Sequence, residues 1–188
     1  MKQESLKEKA RRNFDLSALS RDCVLKELNL HLLSLDYVTE HGTYFGNEIW
    51  WDPDYGYFIC YEDGTYFTGL AYELYGDGSL AYYCDYVNGL EHGVNIRFYP
   101  SGAIKSYDYN IKGRPAGRRY SWYESGRISG YGEYDGWRSV QESHPVGTAY
   151  AWYESGAVKK YAEQNLNGHI YSFIEFSAQG KVIKQNVI

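Results

Sequence analysis

Side chains able to do chemistry are present in this sequence, but not at the spacings chemistry needs. The five histidines, His31, His41, His92, His144 and His169, fall in no pattern that gathers a metal, and His92 and His169 are expected in loops between hairpins. Three cysteines, Cys23, Cys60 and Cys84, are odd in number, far apart and in no C-x-x-C pairing, which argues against a disulfide framework or a zinc site. They are expected as small buried hydrophobes. The stretch Gly130-Tyr131-Gly132-Glu133-Tyr134-Asp135-Gly136 is one residue too long for G-x-G-x-x-G and lies among strand signals, so its glycines are read as turns. No nucleophile elbow, zinc-protease helix or phosphate loop occurs, and the scattered carboxylates single out no acid–base pair. The expectation is a protein that is not an enzyme, with no catalytic residues, no cofactor and no metal.

The remaining chemistry is that of contact. Tyrosine, tryptophan and arginine dominate protein interfaces because they combine large apolar area with a polar handle, and this chain has 22 tyrosines and five tryptophans. The sharpest candidates lie in Gly136 to Pro145, where Trp137, Arg138, Glu142 and His144 extend a loop. Trp137 beside Arg138 reads equally as a pair of binding anchors or as a ring folded back over a sheet edge. Tyr99, Tyr123 and Tyr153 form a second candidate set: their parity places them opposite the apolar stripe, where they either stack across strands or meet a partner. Glu40, Asp52, Asp54, Glu62 and Asp63 make the early strands acidic, an acidic rim for a basic partner.

Positioning these side chains falls to two kinds of element. From Lys2 to about Asp36 there is no glycine or proline, and Leu25, Leu28, Leu32 and Leu35 recur at three and four residues, predicting one or two helices, the second capped by Asp15 or Ser17. From Tyr44 to Phe67, aromatic pairs among Gly, Asp and Pro predict short strands and turns. Beyond them a repeat takes over. Gly78, Gly102, Gly126, Gly156 and Gly180 are 24, 24, 30 and 24 residues apart, one period with a six-residue insertion. Four residues before each stand Leu74, Phe98, Trp122, Trp152 and Phe176; two residues after each stand Leu80, Ile104, Ile128, Val158 and Val182. Each unit therefore reads as a β-hairpin closed by a glycine of positive φ, and neighbouring hairpins must pair, since one alone is marginal in water.

The units GRRYSWYESGRISGY and GTAYAWYESGAVKKY resemble the variant MORN repeats of YwqK-type bacterial antitoxin and immunity proteins. The resemblance runs from about Gly64 to Lys184; the first sixty residues add nothing to it. It departs at the insertion and in the last unit, where Ser177 and Gln185 replace tyrosines. It implies a mainly β fold, an elongated antiparallel sheet of MORN-like hairpins over 41–188, led by a short α-helical N-terminal segment over 1–40. It implies a cytoplasmic protein that neutralises a cognate toxin by direct protein–protein binding.

A formal net charge of −5 and a pI near 5.5 disfavour nucleic acid and anionic membranes as partners. No apolar run is long enough to cross a bilayer, and the first residues lack a secretory pattern. The alternative function is a scaffold or membrane-associated interaction module, using the basic cluster Lys105, Lys112, Arg114, Arg118 and Arg119.

Overall fold

The computed structural model describes residues 5–11, 15–56, 58–135, 145–164 and 170–187. Three short helices come first: α1 (Leu6–Ala10), α2 (Arg21–Glu27) and α3 (Leu35–His41). A capping box starts α1, with Ser5 accepting from the Glu8 N–H and Glu8 reaching back to the Ser5 N–H. Ser34 caps α3, accepting from the Tyr37 N–H. The expected cap of α2 is corrected: Ser20 holds that position without a side-chain bond, while Asp15 accepts from the N–H groups of Ser17 and Ala18 in the preceding turn. The leucine-rich stretch divides because Asn29, at φ 48°, ends α2 in the left-handed region.

The strands are β1 (Thr43–Tyr44), β2 (Trp50–Trp51), β3 (Ile59–Cys60), β4 (Gly69–Leu74), β5 (Leu80–Val87), β6 (Leu90–Phe98), β7 (Ile104–Ile111), β8 (Arg114–Trp122), β9 (Ile128–Asp135), β10 (Pro145–Trp152), β11 (Val158–Gln164), β12 (Ile170–Phe176) and β13 (Val182–Val187). From β4 onward each strand pairs antiparallel with the next, so the five units form one long meander; β1 adds to β4 in parallel. The protein is mainly β, an extended antiparallel sheet of hairpins with few short helices.

Every hairpin is built alike. In the third, the Gly126 N–H donates to the Tyr123 carbonyl and the Tyr123 N–H to the Arg127 carbonyl, with Gly126 at φ +84°. The large apolar column and the aliphatic column meet as read from the sequence, for instance Phe98 opposite Ile104 and Trp122 opposite Ile128. One step further in, Ile96 faces Tyr107 and Tyr120 faces Tyr131, so the returning strand carries one extra residue. This recurring β-bulge reverses the parity of everything beyond it. It turns Tyr83, Tyr107, Tyr131 and Tyr161 onto the same face as the apolar stripe. A single row then crosses nine strands: Tyr72, Tyr83, Ile96, Tyr107, Tyr120, Tyr131, Tyr150, Tyr161 and Ile174.

That row is not open to solvent. Ala10, Val24 and Val38, one from each helix, are buried against it in one hydrophobic core. The leading segment is a strap running antiparallel to the order of the hairpins. At its start, Lys9 pairs with Glu163 at 2.8 Å and the Arg11 guanidinium donates to the Gly180 carbonyl. In its middle, the Trp122 indole donates to the Leu19 carbonyl at 3.0 Å; later the Tyr83 hydroxyl accepts from the Leu33 N–H at 3.3 Å. A second, smaller core forms on the opposite face of the first hairpin, where Ile49, Ile59 and Phe67 pack on Ala71, Tyr82, Cys84 and Tyr86.

Candidate functional site

Tyr99, Tyr123 and Tyr153 have a structural job. With Tyr75 they form a ladder in which each hydroxyl donates to a backbone carbonyl at the end of the next hairpin's first strand. The pairs are Tyr75 to Phe98 (2.6 Å), Tyr99 to Trp122 (2.9 Å), Tyr123 to Trp152 (2.8 Å) and Tyr153 to Phe176 (2.9 Å). Those carbonyls lie where the bulge interrupts the ladder of the sheet, so the tyrosines replace lost backbone bonds. The bulge itself supplies Lys105 over the Tyr99 ring and Lys159 over the Tyr153 ring, at 5.6 and 5.7 Å. These rings sit in the turns rather than on an open sheet face. Trp137, Arg138, Glu142 and His144 lie outside the described residues, as does His169. His92 lies on β6 rather than in a loop.

On the second face of the sheet, polar residues replace the rings. Asn95, Ser106, Asp108 and Asn110 are buried there. Arg119 reaches Asp108 at 2.6 Å, and Asn110 donates to Glu91 at 2.7 Å. Burial raises the Asp108 carboxyl above its ordinary range, opposed by the charges of Arg119 and Arg97. The Tyr82 and Tyr86 hydroxyls lie 2.9 Å apart, one donating to the other, and both lie within reach of the Glu91 carboxylate, which accepts from the one whose proton is left; burial foremost, then neighbouring negative charge, pushes both phenols up. Among the described residues, Asn95 Oδ1 is buried on this face without a hydrogen-bond partner, and Asp108 Oδ1 is held by Arg119 alone.

The segment that covers the first hairpin, residues 45–67, exposes several large aromatic side chains. β2 and β3 pair as Trp50 with Cys60 and Trp51 with Ile59. Ile49 and Ile59 are fully buried, whereas Trp50 and Trp51 remain 39% and 49% exposed. Tyr55, Tyr61 and Tyr66 are exposed beside them. The rings support one another: Phe45 lies 5.3 Å from Trp51, and Phe58 stacks on Tyr66 at 4.8 Å.

Two turns carry the carboxylates between these rings. Asp52 Oδ1 accepts from the N–H groups of Asp54 and Tyr55, and Asp63 Oδ1 from that of Thr65. Those bonds hold Asp63 below the usual carboxylate range. The Cys60 thiol registers the local field, raised by burial and then by Asp52 and Asp63. Asn47, Glu48, Trp50, Tyr61, Glu62 and Asp63 line one open depression.

The lobe is fastened at Gly89, in the turn between β5 and β6. Its N–H donates to the Phe67 carbonyl at 2.7 Å and its carbonyl accepts from the Ile59 N–H at 2.8 Å. Of the site residues, Asp52, Asp54, Glu62 and Asp63 were legible from composition and are brought together here, whereas Glu40 sits on α3. The tryptophan pair Trp50-Trp51 and Glu48 were missed as a site. Their signal was charge: between Glu27 and Ile96 the chain has 12 acidic residues and no lysine or arginine, leaving 12 acidic against 19 basic residues elsewhere, a balance of +7.

No protein-family model matches the chain. It is similar to Immunity protein YwqK of Bacillus subtilis (strain 168), 59% identical over 32 residues, which is 17% of this chain and 21% of that protein. The matched stretch thus spans about a fifth of that relative's length.

Proposed function

We propose that this chain is an immunity protein built of variant MORN repeats, acting in the cytoplasm to neutralise a cognate protein toxin by binding it rather than by catalysis. The observation that carries the reading is the lobe of exposed tryptophan and tyrosine rings on a rigid sheet. An aromatic patch of this kind, fixed from behind by a buried core, costs little ordering entropy to bind. The local identity to an immunity protein supports the kind of partner. A specific interface needs about 800 Å² from each side, and the lobe with the adjoining sheet edge offers a surface on that scale.

The alternative, a membrane-associated module, asks the basic cluster to face lipid. Arg119 is committed to Asp108, Arg118 lies 3.4 Å from Glu27, and Lys105 covers the Tyr99 ring. That commitment favours the binding reading.

The test is affinity capture with the tagged chain from its native cell, followed by reconstitution in a heterologous bacterial host. The captured protein is expected to arrest growth alone, and co-expression of this chain to restore it. A captured partner that is harmless, or an arrest this chain leaves untouched, overturns the reading.

A further inference from the structure

We propose that the lobe over residues 45–67 receives a cationic, arginine-bearing surface of a partner protein, with one guanidinium seated in the depression between Trp50, Tyr61 and the carboxylates Glu48, Glu62 and Asp63. The proposal deepens the immunity reading and rests on it for the identity of the partner, but its physical basis is separate.

Three observations converge. The first is the charge division of the chain. The modest overall charge conceals a continuous 70-residue stretch with 12 carboxylates and no lysine or arginine, and the lobe sits in the middle of it. The second is that this charge is not spent internally: among the described residues no cation pairs with Glu48, Asp52, Asp54, Glu62 or Asp63, whereas acidic groups elsewhere, such as Asp108, Glu163 and Glu175, do have cationic partners. The third is the geometry of the depression, one indole and one phenol beside three carboxylates. A guanidinium is planar, weakly hydrated and always charged; it stacks on a ring face while its edge donates to carboxylates. A lysine ammonium satisfies the charge but not the stacking, and an apolar or acidic knob leaves carboxylates to be desolvated without compensation.

The occupant is a foreign protein rather than a second copy of this chain. Several basic residues outside the acidic stretch are already engaged, Lys9 with Glu163, Arg118 with Glu27, Arg119 with Asp108 and Lys160 with Glu175.

The test uses the full chain and a ten-residue arginine peptide as probe, with ten-residue lysine and glutamate peptides beside it, read by calorimetry at low and physiological salt. The arginine peptide is expected to bind at least several-fold more tightly than the lysine peptide, the glutamate peptide not at all, with affinity falling as salt rises. Glu62→Gln with Asp63→Asn is expected to weaken binding about tenfold, while Asp22→Asn with Glu124→Gln, an equal change in net charge on exposed residues far from the lobe, changes it less than about twofold. Trp50→Leu is expected to remove the preference for arginine over lysine. Equal losses from the two charge pairs, or no arginine preference, overturn the proposal. So does sedimentation showing a lobe-dependent dimer that competes with the peptide. In the growth assay, rescue that survives the Glu62/Asp63 pair removes this surface while leaving the immunity reading intact. Selective arginine binding by a chain that rescues nothing does the reverse.

Discussion

At the scale of single residues, Glu163 shows how strongly context sets behaviour. It is nearly buried on the strap side of β11, and burial alone raises a carboxyl. Here hydrogen bonds from Lys9, Ser172 and Tyr161 outweigh burial and hold Glu163 below its ordinary 4.5. A carboxyl with a depressed folded value contributes stability that is present above its unfolded value and lost as pH falls through the folded one. Asp108, raised by burial, runs oppositely: its contribution is complete at low pH and fades as pH rises through the raised value. Glu163→Gln is expected to cost about 1–3 kcal/mol at neutral pH by removing the carboxylate that Lys9, Ser172 and Tyr161 bind. The gap between variant and parent should close below pH 4.5 in urea titrations. A gap independent of pH would mean that the Lys9 pairing carries none of it.

At the scale of elements, the lobe illustrates how irregular chain is held on a regular scaffold. Among the described residues, 45–67 hold two two-residue strands, and besides the Ile49–Phe67 core the backbone of one glycine ties them to the sheet. Gly89 stands at φ +77°, and a Cβ there would lie 2.8 Å from the Ile59 carbonyl and 3.1 Å from the Phe58 and Tyr66 rings. Alanine pays for the left-handed backbone, about 1–2 kcal/mol, and in addition must push the lobe away. Gly89→Ala is therefore expected to free the lobe while leaving the hairpins paired. The check is limited proteolysis: cleavage should rise between residues 45 and 67 with the far-ultraviolet spectrum unchanged. Unaltered protection of that segment would mean that the Ile49–Phe67 core alone fastens it.

At the scale of the whole molecule, the sheet and the strap share one core. A row of seven tyrosines and two isoleucines running across nine strands would be a long exposed apolar face without the helices. Val24, at 1% exposure, lies between α2 and that row. Val24→Asp buries a carboxylate in that apolar contact, an expected loss of about 3–5 kcal/mol. If 1–40 and 41–188 were independent units, unfolding of the sheet would be indifferent to this change. The shared core predicts instead a lower melting temperature for the sheet and binding of a hydrophobic dye to the uncovered row.

Much of this architecture is determined by sequence alone. A glycine every 24 residues with large apolar residues four before and aliphatic residues two after is enough to specify hairpins, because turn closure by positive φ and side-chain alternation are local properties. The acidity of residues 27–96 is equally a matter of sequence. Tertiary structure decided the rest. Simple alternation fails beyond the bulge, since one extra residue per hairpin reverses the faces, and that residue is identified only by its partner strand. Tyr99, Tyr123 and Tyr153 became links between hairpins because their hydroxyls meet carbonyls 23 or 29 residues away. The strap closes over the rings, and the lobe leaves Trp50 and Trp51 exposed, through contacts between residues distant in sequence, where burial of apolar area outweighs local preference.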